Sequence, residues 1–177
     1  MSKAILLSFS PSQLDLIIRG EKTLEIRKNK PDIKTPCKCY IYCTKGKGPN
    51  DIYYIANYDE NNQYMGDYQA NMTVCGEFIC NEIERIDVPY PAYSSQLEAR
   101  ILEQSKLPYH DLHMYARHDA VYGFHISELK IYNSPKSLDD FAPWNSKSDG
   151  FRPLNHNADI HKKRCISPPH NWRYIDV

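Results

Sequence analysis

The stretch Ala4-Ile5-Leu6-Leu7-Ser8-Phe9-Ser10-Pro11-Ser12-Gln13, continued by Gly20-Glu21-Lys22-Thr23-Leu24-Glu25-Ile26-Arg27, decides how this 177-residue chain is read. Ala4 to Phe9 is a short apolar run that predicts a buried strand. Ser10 then stands at an N-cap position, with Pro11 in the first turn and Gln13 three residues on, which predicts a helix start. Leu14, Ile17 and Ile18 follow at helical spacing, and Gly20 stops the helix. After Gly20 the period changes to two. Leu24 and Ile26 alternate with Thr23, Glu25 and Arg27, so this strand turns one face to a core and presents a hydroxyl, a carboxylate and a guanidinium on the other. Lys22 sits at the turn, its long stem free to bend towards either face.

Outward from that stretch, Lys38 to Thr44 predicts a strand with Cys39, Ile41 and Cys43 on one side and Tyr40 and Tyr42 on the other. Residues 45–71 read as a tyrosine-rich insertion, with Asn61-Asn62 turning a hairpin between Tyr53–Tyr58 and Tyr64 onwards. Further strands are expected at Met72 to Ile83, Ala120 to Ile126, Leu129 to Tyr132 and around Trp172, Tyr174 and Ile175. Tyr93 to Lys106 reads as a helix, Ser137 to Phe141 as a single helical turn, and about 142–163 as irregular. Five to seven short strands with two or three helices and no regular alternation predict an α+β fold built as one domain around a small mixed barrel.

Composition narrows the classes. No apolar run approaches the roughly 18–20 residues that span a bilayer, so no membrane partner is expected. Without a signal-like N-terminus, the chain reads as cytoplasmic, its six cysteines reduced. The zero net charge hides a division: residues 1–50 carry +6, 51–100 carry −7, 101–150 carry −2 and 151–177 carry +3. Bulk attraction to long nucleic acids is thereby excluded, and any nucleic-acid binding must be local. The two basic ends can meet in one patch if the termini lie together.

At Gly20 to Arg27 the pattern G-x-K-x-x-E-x-R resembles the ASCH domain family, which shares the PUA-like barrel of RNA-modification proteins. Cys75-Gly76-Glu77-Phe78 resembles the family's central strand. Tyr122-Gly123-Phe124-His125-Ile126-Ser127 with Leu129-Lys130-Ile131-Tyr132 resembles a late segment of its bacterial and phage members, and Pro168 to Tyr174 their C-terminal strand. The resemblance implies binding of RNA, a nucleotide or a modified nucleoside in a cleft lined by the lysine, glutamate and arginine. It also implies an alternative, hydrolysis of a modified nucleoside such as acetylcytidine, or of RNA, in the same cleft. The amidohydrolases of the family carry K-x-x-T. Here Glu25 occupies the threonine position and cannot supply that hydroxyl.

The residue chemistry agrees with such a cleft. Arg27 offers a forked donor to a phosphate or a base edge. Glu25 can accept from an exocyclic amine or orient Arg27. Lys22 can contact phosphate or, in an enzyme, act with Glu25 as the acid–base pair. The alternative for Glu25 and Arg27 is an exposed pair worth under about 1 kcal/mol. Tyr42, Tyr122 and Trp172 are candidates for stacking on bases, and Glu77 and His125 for lining the cleft, although His125, between Phe124 and Ile126, suits a structural role better than a catalytic one. No cofactor is expected. Cys37-x-Cys39 is too tight for a zinc knuckle, Cys39 and Cys43 read as core residues, and no metal site is expected. A third class is a protein-interaction module that meets its partner through residues 51–70.

Overall fold

The computed structural model describes residues 3–88, 96–117, 119–143 and 168–177. Strand β1 (Lys3–Phe9) is followed by helix α1 (Pro11–Ile18), then β2 (Leu24–Arg27) and β3 (Cys37–Cys43). A hairpin, β4 (Tyr54–Tyr58) and β5 (Tyr64–Gln69), precedes the long strand β6 (Val74–Ile86). Helices α2 (Gln96–Ser105) and α3 (Tyr109–Ala116) lead to the still longer β7 (Val121–Lys136), a 3₁₀ turn at Leu138–Asp140, and strands β8 (Ala142–Pro143) and β9 (Trp172–Asp176).

Seven strands form one sheet in the order β2-β7-β6-β3-β1-β9-β8, with β4 and β5 paired apart from it. β1 runs parallel to β3, and the other neighbours are antiparallel. β1 lies inside the sheet with both faces covered, which is why it reads as a continuous apolar run. Ile5, Leu7 and Phe9 join Cys39, Ile41, Phe78, Phe124 and the Leu14 and Ile17 face of α1. Ala4 and Leu6 face Tyr40, Tyr42, Val74 and Phe141 on the other side. A third cluster seats α2 and α3, through Ile101, Leu112 and Ala116, on Leu24, Ile26 and Val121.

The sheet bends along β6 and β7, whose pairing slips at three places. At one of them Ile79 opposes Ser127 while Glu77 opposes Lys130, so β7 carries an extra residue. Glu128 takes it up with φ 47°. This bulge explains why the sequence reads as two strands on either side of Ser127–Glu128: the inward parity changes from even positions to odd ones, yet the ladder continues. Gly76 is required opposite the bend, since a Cβ there would stand 2.7 Å from the Lys130 carbonyl oxygen.

Bending carries β2, at one edge, round towards β1 and β9. The sheet does not close by a backbone ladder. Side chains cross the seam instead: Arg27 donates to the Ser8 carbonyl, Trp172 Nε1 to the Asn29 carbonyl at 3.0 Å, the Asp32 amide to the Tyr174 hydroxyl, and Lys3 Nζ to the Asp32 carbonyl at 2.9 Å. The fold is α+β, an open barrel flanked by helices. Helix α3 escaped the sequence reading because its buried positions, Leu112 and Ala116, are too few to make a visible stripe. Residues 93–95, most of 142–163 and Cys165 lie outside the described residues. Pairing of Lys3 with Asp176 places the two chain ends side by side.

Candidate functional site: a buried lysine–glutamate–arginine row in the barrel seam

Five polar or charged side chains are buried among the described residues, and Lys22, Glu25 and Arg27 are three of them. Gly20, at φ 71°, turns the chain out of α1, and the amides of Glu21 and Lys22 both return to the Leu16 carbonyl. The Thr23 amide then bonds the Gln104 carbonyl of α2. This stitching between the ends of two helices folds the Lys22 stem inward. Its Nζ donates to the Ser105 carbonyl at 2.7 Å, at the C-terminal end of α2 where the helix dipole favours a cation.

From there the charges run in a row. Lys22 Nζ lies 3.2 Å from Glu25 Oε2, and Arg27 Nε lies 2.9 Å from Glu25 Oε1. That second contact is Coulombic, since Nε makes no aligned hydrogen bond. The guanidinium spans to the Ser8 carbonyl and stands 5.4 Å from the Phe9 ring centre. Strand alternation predicted Glu25 and Arg27 on the polar side of β2. They are on the side opposite Leu24 and Ile26, but that side is enclosed by the curling sheet, and only about a tenth of each side chain reaches solvent. Tyr115 of α3 flanks the pair. Burial pushes its phenol up and Glu25 adds to this, while the Arg27 charge pulls it down.

Two further candidates come close to this row. Tyr122 is the register partner of Arg27 across β2 and β7 and is half-buried against the same core. Trp172 reaches the backbone two residues beyond Arg27 and packs edge-on against Tyr174, ring centres 4.9 Å apart. The structure places the other three elsewhere. Tyr42 is buried on the far side of β3, its hydroxyl 3.5 Å from the Met72 sulfur. Glu77 bonds Lys38 at 3.1 Å and accepts from Tyr132 at 2.6 Å. Burial opposes its ionisation, but the Tyr132 hydroxyl and Lys38 outweigh that and hold the carboxyl below its usual range. His125 faces away from Glu25, with Nε2 2.9 Å from Glu84 Oε1, and Arg100 of α2 grips the same carboxylate through two bonds of 3.2 and 2.8 Å. Glu84 is likewise lowered: burial works against its charge, and Arg100 and His125 prevail.

Sequence reasoning missed Ser8, Phe9, Ser105 and Tyr115. Two of these contribute backbone carbonyls, which carry no residue signature, and Tyr115 lies on the helix the pattern did not reveal. Among the described residues no helix is long and apolar enough to cross a membrane.

The charged row thus lies in the seam of a curled, open mixed sheet with helices against one edge. No protein-family model and no curated protein sequence matches the chain. Among solved structures, a Tyr-to-Phe point variant of the ASCH protein of Zymomonas mobilis matches with a TM-score of 0.52 and 18% identity, covering 78% of each chain. A Ser-to-Ala variant of the same protein matches with a TM-score of 0.52 and 18% identity, over 77% of this chain and 75% of that one. The fold of this protein is ASCH-like.

Proposed function

We propose that the seam between β2 and β1 binds RNA, a nucleotide or a modified nucleoside through Glu25 and Arg27. The observation that carries this reading is the unbalanced buried row: two cations share one carboxylate, leaving a net charge of +1 in a desolvated site. Buried charge is costly and contributes little to stability. An anionic group laid on Arg27 balances it, and a guanidinium fork suits phosphate or, as an acceptor, a base edge. Tyr122 and Trp172 flank the row and supply faces for stacking. The ASCH-like fold and the G-x-K-x-x-E-x-R pattern support nucleic-acid components as the ligand class.

Hydrolysis in the same place requires Lys22 to touch the substrate. Its Nζ is held by the Ser105 carbonyl and Glu25, and its side chain is 1% exposed, so the geometry favours Lys22 as a positioning residue behind Glu25. A protein-partner role is favoured by one observation: Ile52, Tyr54, Tyr58, Tyr64 and Met65, on and beside the hairpin, are exposed.

The test is a thermal-shift and calorimetric screen of the full chain against nucleotides, cytidine, acetylcytidine and short single-stranded RNAs, with product analysis of each mixture. A salt-sensitive stabilisation lost in Arg27→Ala and weakened in Arg27→Lys is expected. Product formation abolished by Glu25→Gln would turn the reading to the hydrolase. No shift and no product with any ligand would refute the site and leave the hairpin, with deletion of 51–70 as the next test.

A further inference from the structure

Away from the charged row, the main core holds a group of sulfurs that the sequence spacing did not bring together. Cys37 and Cys39 lie two apart on β3, hence on one face, and Cys80 of β6 is the register partner of Cys37. All three are free thiols and buried, and their sulfurs lie within 4.8 Å of one another. Cys43, four positions beyond Cys39 on β3, does not belong to the group.

A triangle with sides no longer than 4.8 Å has its centre at most about 2.8 Å from each corner. A metal–thiolate bond of about 2.3 Å therefore needs each sulfur to move inward by at most about half an ångström, within the reach of a small χ1 adjustment. Three sulfurs with no carboxylate or imidazole among them do not suit hard cations, which take oxygen. They suit soft ions such as Cu(I) or Zn(II). Cys37 also forms part of the wall of a cavity of about 440 Å³ whose lining includes Lys3, Lys34 and Lys38. The cavity meets the group at Cys37, the one of the three that lines it. The ammonium groups of Lys3 and Lys34 there offset part of the negative charge that three thiolates leave on a monovalent or divalent ion, while Lys38 is already paired with Glu77.

We propose that Cys37, Cys39 and Cys80 bind one soft d¹⁰ metal ion, Cu(I) or Zn(II), through three thiolates. Each thiol gives its proton to solvent as its sulfur binds the ion. The site is independent of the nucleotide seam, and neither reading needs the other.

The experiment titrates the reduced, full-length chain under anaerobic conditions. Cd(II) alone serves as the optical probe for thiolate charge-transfer absorption. Zn(II) and Cu(I) follow, each in competition with a chelator of known affinity. Saturation at one ion per chain is expected, with at least hundredfold weaker binding in Cys37→Ser and in Cys80→Ser. X-ray absorption on the loaded wild-type protein, which needs no variant to fold, should count three sulfurs at about 2.3 Å. Whichever of Zn(II) and Cu(I) binds in this manner identifies the ion. Substoichiometric binding, fewer than three sulfurs, affinity unchanged in both variants, or a Cys37–Cys80 disulfide that forms while no ion is retained would each overturn the proposal.

Discussion

Replacing Glu25 by glutamine separates two accounts of the buried row. Glutamine keeps the size of the side chain but removes the only negative charge between Lys22 Nζ, at 3.2 Å, and Arg27 Nε, at 2.9 Å. Two cations then remain in a site that solvent reaches only through the tenth of Glu25 and Arg27 that is exposed. Removing one partner of a buried pair costs about 3–5 kcal/mol, and the partial exposure places this case near 3. Lys22→Met is the contrasting change. It keeps the apolar stem, leaves Glu25 and Arg27 as a balanced pair, and orphans the Ser105 carbonyl at about 1–3 kcal/mol, offset in part by relief of a buried ammonium. Glu25→Gln should therefore be the more damaging, lowering Tm by about 6–12 °C at roughly 2–4 °C per kcal/mol for a chain of this size. Urea titration followed by tryptophan fluorescence and circular dichroism measures both variants, with an unchanged m value showing that the comparison is of stability. A Glu25→Gln cost below about 1 kcal/mol, or a Lys22→Met cost equal to or above it, would refute the view of the row as a desolvated, positively unbalanced site.

Two further outcomes follow from the geometry around β6. Glu77 is held below its ordinary carboxylate value of 4.5, so folding favours its charged form; that contribution is complete above about pH 4.5 and disappears as pH falls through the lower folded value. Tyr132→Phe, which removes the 2.6 Å bond, should cost about 1 kcal/mol at pH 7 and progressively less as pH falls through the folded value of Glu77 below 4.5, and a cost independent of pH down to acid unfolding would contradict the assignment. Gly76→Ala drives a Cβ to 2.7 Å from a backbone oxygen and should cost about 1–3 kcal/mol, whereas Gly48→Ala, with nothing within 4 Å, should stay within about 0.5 kcal/mol; parity between them would count against the close strand approach.

The first 27 residues were legible because each local signal agreed with the next. Ser10 does cap α1 by accepting from the Gln13 amide, Gly20 does turn left-handed, and Leu24 and Ile26 do enter a core. The alternation of β3 was equally readable, since Cys39, Ile41 and Cys43 lie in one cluster and Tyr40 and Tyr42 in another. The hairpin turns where Asn62 stands at φ 62°, as an Asn-Asn pair permits. Such features depend on neighbours within about four residues, and the sequence states those neighbours directly.

Curvature was not legible. The bulges of β6 and β7 bend the sheet by amounts that no short window encodes, and the bend decides that the polar side of β2 faces an interior seam. It brings Ser8 to Arg27, Ser105 to Lys22 and Asn29 to Trp172 across 19, 83 and 143 positions of chain. The same register sets Cys80 beside Cys37 and sends His125 to Glu84 instead of Glu25. By itself the sequence determined which side chains carry charge and on which face of each strand they stand. Only the tertiary structure decided which of those faces are buried and what they meet, because burial and long-range pairing are set by how the whole sheet curls, and no segment of it curls alone.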